Sequence, residues 1–317
     1  MNPLVSVIVT CRNEEKNVEN CLLSIRNQNY KNIEIIVVDD KSSDDTVEIC
    51  RKYTKKIIIS KKHLERSGVR NLGGYKAVGR YLFFLDADMI LGKNVVFGAV
   101  KTMEKDSKLM GLYISEVILG NSFWQKCRRL ERSFYDGTVI DGVRFIRKEA
   151  FNRIGGFDEK LIGPEDWDFD KRIRLEGKVN LLGNYDFGRL DRFLGHIDYE
   201  KYFVDKLIFA DDLIIFHNEY NVNLAKYLAK KQYYAYNFSK YIGKWGASDI
   251  DVRRQFGLWY RYMMVFGENR VKLYRMLKHP ILMLGIFIMR FLVGVIYLRS
   301  KILCNLYKQG ISVKIRL

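Results

Sequence analysis

Residues 81–91 read YLFFLDADMIL. Tyr81 to Leu85 form a short apolar run of the kind that makes a buried strand, and Met89, Ile90 and Leu91 resume that character. Between the two runs stand two carboxylates, Asp86 and Asp88, one residue apart. Acids at the point where a hydrophobic strand emerges need a partner or solvent, because an ionised carboxylate is costly to bury alone.

The segments before this stretch repeat its design. LVSVIVT (4–10), IEIIVVDD (33–40) and KIIIS (56–60) read as three further strands. Between them lie helix signals: Asn13 to Ile25, with Val18, Cys21, Leu22 and Ile25 on one face; Val47 to Tyr53, capped by Ser42–Thr46; and Gly68 to Val78. Strands alternating with short helices predict an α/β fold, a mostly parallel sheet with helices on both faces. Such sheets bind ligands beyond the carboxyl ends of their strands. Asp39-Asp40 and Asp86-x-Asp88 then share one rim, where like charges repel unless a cation or donor groups offset them. A hard divalent ion holding a phosphorylated ligand meets that need. The plainer alternative, a turn cap at Asp39-Asp40 and solvated Asp86 and Asp88, explains either cluster alone better than both together.

A third cluster lies in FIRKEAFNRIGGFDEKLIGPEDWDFDKRIRLEG (145–177), with Gly155-Gly156 in a turn and Pro164-Glu165-Asp166-Trp167 at a helix start. Acids suit the first helical turn electrostatically. Trp167 offers a flat apolar face of the type sugars pack against, and a carboxylate beside it is a candidate general base.

The chain has 317 residues, of which 48% are hydrophobic, enough for one large packed domain or a domain with an appendage. Its five cysteines are scattered without a CxxC pair, which argues against a disulfide framework or a zinc site and fits a reducing compartment. Leu4 to Val9 is too short for a signal-peptide core and reads as a strand. The net charge of +17 is uneven: residues 226–317 hold 18 Lys and Arg against three acids, while residues 1–225 are close to balance.

In that basic tail, PILMLGIFIMRFLVGVIYLR (280–299) is long enough to cross a bilayer, with Arg290 at its centre. Basic residues flank it on both sides, so a helix lying in the interface competes with a true span. LWYRYMMVFGENRVKLYRMLKH (258–279) has the composition of an interfacial amphipathic helix. Long aliphatic runs serve no purpose against phosphates, so the tail points to a membrane surface at the cytoplasmic face and not to nucleic acid. A core helix packed on the sheet is the remaining alternative. The expected division is 1–222 for the α/β unit and 223–317 for the basic helical region.

Four stretches in order, VSVIVTCRNEEKNVENCLLSI, IIVVDDKSSDDT, GVRNLGGYKAVGRYLFFLDAD and IGGFDEKLIGPEDWDFDKRI, resemble the family 2 inverting glycosyltransferases over residues 1–180. The resemblance implies a GT-A fold and transfer from a nucleotide diphosphate sugar, with uracil as the expected base and guanine as the alternative. It implies that Thr10, Arg12 and Glu14 line the nucleotide end of the first strand, that Asp39 reads the base and that Arg70 lies near base and phosphates. Asp86 and Asp88 match the DxD pair, Asp86 nearer the ribose and Asp88 the more direct ligand of Mn²⁺ or Mg²⁺. Asp166 matches the catalytic base, with Glu165 beside it as the second catalytic candidate and Trp167 and Gly156 on the acceptor or donor sugar side.

Beyond residue 180 the resemblance loosens. Two histidines compete for the metal, His196 and His217; the segment IIFHNEYNVNLAKYLAKKQYYAYNFSKY (214–241) favours His217 and makes 186–212 an insertion. Lys230, Lys231, Tyr233 and Tyr234 are candidate pyrophosphate contacts, or a solvated helix face. The expected acceptor is lipid-linked, either a polyprenyl-diphosphate glycan or a polyprenyl phosphate. A processive synthase is disfavoured because no QxxRW motif occurs. A sugar nucleotidyltransferase is disfavoured because VTCRNEEKN stands where that class carries a glycine-rich loop, and a non-catalytic scaffold because both acid motifs are present.

Overall fold

The computed structural model describes residues 2–183, 185–196, 213–219, 223–235 and 237–308, the last eight by backbone alone. Most of the segment read as an insertion, 197–212, lies outside the described residues.

Strands β1 (Val5–Cys11), β2 (Ile33–Asp39), β3 (Ile57–Ile59) and β4 (Tyr81–Asp86) follow each other through α1 (Val18–Arg26), α2 (Thr46–Arg51) and α3 (Arg66–Lys76). Next come β5 (Met89–Leu91), α4 (Val95–Lys105), β6 (Leu109–Ile114), β7 (Glu116–Ile118), α5 (Phe123–Ser133), β8 (Phe145–Arg147), α6 (Lys148–Ile154), α7 (Glu165–Glu176), β9 (Lys178–Leu182), α8 (Phe187–Gly195) and β10 (Ile215–His217). The main sheet runs β3-β2-β1-β4-β8-β6-β9, and a small sheet runs β5-β10-β7. β1 to β4 are mutually parallel where they pair, β8 is antiparallel to both neighbours, and β9 is parallel to β6. The mostly parallel α/β sheet expected from strand–helix alternation is therefore present.

Two apolar layers sandwich this sheet. One side packs Val5, Val7 and Val9 with Phe83, Leu85 and the buried face of α1; the other packs Ile8, Val38 and Phe84 with Phe151 and Phe169. Burial on both faces is why these strands read as continuous apolar runs. Register sets the rim: Cys11 lies opposite Asp39 and Thr10 opposite Asp86, so β1, β2 and β4 end level.

Helix α1 begins at Val18, not at Asn13 as its periodicity predicts. The backbone N–H groups of Asn13, Glu14 and Glu15 instead donate to Ser42 Oγ, Thr46 Oγ1 and Asp44 Oδ2 at 2.9, 2.8 and 3.1 Å. Asn13 takes a left-handed φ of 53° to make this possible.

The C-terminal region comprises α9 (Leu224–Ala235), α10 (Phe238–Trp245), α11 (Ile250–Phe256), a π-helical turn (Tyr260–Met264) that continues through Val265–Gly267, α12 (Arg270–Lys278) and α13 (Pro280–Lys308). The amphipathic helix expected over 258–279 is thus broken: Asn269 caps α12 by accepting from Lys272 N at 2.9 Å. Met283, Ile286 and Met289 of α13 are buried against Cys127, Leu130 and Phe134. The approach is close at Gly285, where a Cβ would stand 2.4 Å from Cys127 Sγ. The opposite face of α13 leaves Ile281, Leu284, Ile288, Phe291, Val295 and Leu298 exposed. Arg290, which the sequence puts in the middle of an apolar segment, turns inward. It is 6% exposed and donates from Nε to Glu131 Oε1 at 2.9 Å and from Nη2 to Tyr135 Oη at 2.8 Å.

Candidate active site

A cleft of about 700 Å³ opens at the carboxyl ends of β1 and β4 and runs beneath α9 and α13. Its floor is organised by Arg70 on α3, which is 2% exposed. Nη1 donates to Asp166 Oδ1 at 2.6 Å and Nη2 to Asp86 Oδ1 at 3.1 Å. One guanidinium therefore joins the end of β4 to the first turn of α7, segments eighty residues apart in the chain. A planar fork suits this bridging task. Burial alone would push the Asp86 carboxyl up, but Arg70, Arg144 and Arg66 outweigh it and hold the group well below the usual carboxylate range. Asp86 also accepts from Thr10 Oγ1 at 3.3 Å, which fixes its rotamer from the end of β1.

Asp88 and His217 meet because β5 pairs antiparallel with β10, setting His217 opposite Met89. His217 Nε2 lies 3.2 Å from Asp88 Oδ2, and Nδ1 lies 3.7 Å from Glu116 Oε2. Burial would lower the imidazole pKa; Asp88 and Glu116 overcome this and raise it to about 10. Asp88 Oδ1 is buried with no hydrogen-bond partner. An orphaned carboxylate oxygen beside an imidazole is what a divalent ion would satisfy. Among the described residues no three His, Cys, Asp or Glu side chains are placed to hold a metal ion together, so such an ion would take its other ligands from phosphate and water, as Mg²⁺ commonly does.

At the start of α7, Asp166 keeps 39% of its side chain exposed although Arg70 holds one of its oxygens. Glu165 is buried, and its Oε2 has no partner; burial and then the Asp166 charge raise its pKa. The two neighbouring acids are thereby differentiated: one accessible and paired with a cation, one enclosed and inclined to keep its proton.

Several residues singled out in the sequence line the same cleft: Thr10, Arg12, Glu14, Arg70, Asp86, Asp88, Glu165, Asp166, Trp167 and His217, together with Lys230, Lys231, Tyr233 and Tyr234 from α9. Three others, Asp39, Gly156 and His196, lie outside the cleft lining, and Trp167 lines it with one face covered. Asp39 is buried beneath the rim, accepting from Ser42 N at 2.9 Å and from Cys11 Sγ at 3.6 Å, and its neighbour Asp40 lines the cleft instead. Asp40 is held by Leu64 N at 2.8 Å and by His63, which also contacts Arg12 at 2.7 Å. Gly156 lies outside the cleft lining; its φ of 73° and the Asn71 oxygen 2.5 Å from any added Cβ make it a packing turn. Trp167 has a face covered by Phe238, stacked at 6.0 Å, and its indole N–H donates to Ile140 O at 3.0 Å. His196 ends α8 in an exposed position, away from the cleft.

Sequence reasoning missed Arg66, Arg144, Glu116, Arg128, Glu131 and Arg261, all of which line the cleft. Arg66 was within reach, since it lies one helical turn before Arg70 on the same face of α3. The others carry no local signal. Arg144 and Arg132 enclose Glu116, and Arg128 joins Glu131 at 2.9 Å to Glu219 at 3.5 Å.

Residues 6–156 match the family model described as Glycosyl transferase family 2. The chain is 26% identical over 219 residues to glycosyltransferase GlyA of Streptococcus pneumoniae, covering 68% of this chain and 29% of that protein. It is 35% identical over 206 residues to an uncharacterized glycosyltransferase of Haemophilus influenzae, covering 57% and 61%. The chain thus spans less than two thirds of the length of these curated relatives. Among solved structures it is similar to the mannosyltransferase PcManGT of Pyrobaculum calidifontis, in complex with GDP-Man and Mn²⁺, at a TM-score of 0.58 and 17% identity, covering 97% of this chain and 88% of that one; this likeness is one of fold. With the acid-rimmed parallel sheet and the family match over the same segment, the chain carries a glycosyl transferase family 2 domain of the GT-A type.

Proposed function

We propose that this protein is an inverting glycosyltransferase that moves a sugar from a nucleotide diphosphate sugar to an acceptor at a membrane surface. The observation that carries the reading is the Arg70 bridge, which brings Asp86 and Asp166 to one cleft beside an Asp88 oxygen without a partner. The mannosyltransferase of similar fold was captured with GDP-Man and Mn²⁺, which supports a nucleotide-sugar donor and a divalent ion here.

In this reading Asp88 and His217 would hold Mn²⁺ or Mg²⁺, which when bound would supply charge neutralisation for the departing nucleoside diphosphate. Asp86, fixed by Thr10 and Arg70, orients the ribose side of the donor. Asp166 accepts the proton from the acceptor hydroxyl as that oxygen attacks the anomeric carbon from the face opposite the leaving group. A single displacement inverts the configuration. Arg70 holds Asp166 in a fixed orientation, so that the base is in place before the acceptor arrives.

Membrane attachment is supported by the outer face of α13, whose exposed apolar stripe is continued by Val271, Tyr274 and Leu277 of α12 and bordered by Arg270, Lys278 and Arg299. Segment 280–300 is apolar and long enough to cross a bilayer, yet its inner face and Arg290 are engaged with α5. This favours a helix lying in the interface at the cytoplasmic face, apolar side down.

The test is nucleoside diphosphate release from a panel of UDP- and GDP-sugars with Mn²⁺ or Mg²⁺, in the presence of polyprenyl-phosphate and polyprenyl-diphosphate-glycan acceptors. Release with one donor that depends on added metal and acceptor is the expected outcome. Release of inorganic pyrophosphate from a nucleoside triphosphate and a sugar phosphate would identify a nucleotidyltransferase instead.

A further inference from the structure

Beyond Trp167 the cleft continues beneath α13 and its walls become basic. Arg261, on the π-helical turn, lies 5.6 Å from the Trp167 ring and 5.7 Å from the Tyr135 ring. Arg290 stands 5.4 Å from the same Tyr135 ring. Lys231 of α9 faces the Tyr227 ring at 5.4 Å. All three line the cleft.

The acids nearby do not balance these charges. Glu131 serves both Arg290 and Arg128, and Glu219 serves Arg128 again. Among the described residues neither Arg261 nor Lys231 has a carboxylate in ion-pair reach, and Arg290, 94% buried, keeps Nη1 without any hydrogen-bond partner. Excess positive charge in a partly desolvated arm is unfavourable unless an anion joins it. Lys231 reports the same imbalance: burial, and then the neighbouring Arg128, pull its pKa down to about 7.

The surroundings identify the anion's carrier. Val293, Gly294 and Tyr297 of α13 line this arm, while the outer face of the same helix is the exposed apolar stripe. One helix thus offers cations inward and an apolar surface outward. The donor's expected phosphate position, at Asp88 and His217, is separated from Arg290 by the Arg128–Glu131–Glu219 chain of ion pairs.

We propose that Arg261, Arg290 and Lys231 form an acceptor-phosphate site, which takes the phosphate or diphosphate of an amphiphilic acceptor whose apolar chain leaves along Val293, Gly294 and Tyr297. The proposal rests on the glycosyl-transfer reading, which supplies the acceptor. These residues act as positioning groups: they fix the headgroup next to Asp166, and no bond is made or broken by them.

The experiment measures binding of farnesyl phosphate, farnesol and inorganic phosphate to the full chain in detergent, with UDP and GDP binding in parallel. Farnesyl phosphate is expected to bind at least tenfold tighter than either control. R261Q is expected to weaken farnesyl phosphate at least fivefold, leave farnesol unchanged, and shift nucleotide affinity less than twofold at an unaltered melting temperature; K231Q is expected to weaken farnesyl phosphate at least fivefold and leave farnesol unchanged. Equal affinity for farnesol and farnesyl phosphate would overturn the anion site. Inorganic phosphate binding as tightly as farnesyl phosphate would overturn the amphiphile. Loss of nucleotide affinity matching the loss of farnesyl phosphate would return these residues to the donor. A chain that binds neither nucleotide but still discriminates farnesyl phosphate from farnesol would sink the transferase reading and leave this site standing.

Discussion

The two ends of the cleft are both built from buried charges, but they are assembled differently. At the sheet end, Asp86 and Asp88 stand at a strand terminus, and a single arginine from the adjoining helix organises the acids. At the α13 end, Arg290, Glu131, Arg128 and Glu219 come from two helices and the segment after β10, and none has its partner nearby in the chain apart from the Arg128–Glu131 pair on α5. The first arrangement is fixed by sheet register; the second exists only when the helices dock. The sheet end should therefore be sensitive in catalysis and tolerant in folding, whereas the ion-pair chain at the α13 end should be sensitive in folding.

The largest expected effect tests the α13 end. R290M leaves Glu131 with one fewer cation in a buried position, and breaking a buried pair costs about 3–5 kcal/mol. A thermal or urea melt that shows no loss would mean that α13 does not dock on α5. Next come D88A and D166N, each predicted to lower turnover more than a hundredfold, about 2.7 kcal/mol of transition-state stabilisation, while circular dichroism and melting temperature stay close to the parent. Near-normal turnover in either variant removes that residue from the mechanism. The double substitution I288E/F291E alters only the outer face of α13; it is expected to weaken binding to vesicles with anionic lipid about tenfold with stability changed by less than about 0.5 kcal/mol. Unchanged vesicle binding would free this face from any membrane role.

The smallest effect is one of pH. Burial would raise the Glu131 pKa, but Arg290 and Arg128 bring it down to about 2 from its ordinary 4.5. A carboxyl depressed by folding stabilises the native state above its unfolded pKa and loses that contribution as pH falls toward its folded pKa. By about pH 3.5 roughly 1 kcal/mol of this contribution should be gone. E131Q should remove that part of the acid dependence; an identical acid limb in parent and variant would assign it to other carboxyls.

Part of this was visible in the residues alone. YLFFLDAD gives its strand and its acids together, because a strand buried on both faces must be apolar along its length and a charge can appear only where it leaves the core. The level ends of β1, β2 and β4 follow from alternation of strands and helices. The choice between Asp39 and Asp40 did not, since adjacent residues on a strand point to opposite sides and only the Ser42 turn decides which is enclosed. Trp167 shows the same limit: its type suits a sugar, but Phe238, from a helix seventy residues on, covers a face of it.

The sheet and its acidic rim can be read from the residues because strand burial and strand-end chemistry are local and periodic, and the family from the resemblance of four stretches in order. The packing of α13 emerges only once the helices dock. A run of twenty residues with one central arginine reads equally as a membrane span or a packed helix. Its role turns on whether Arg290 finds Glu131, a contact between residues 159 positions apart that no local pattern encodes.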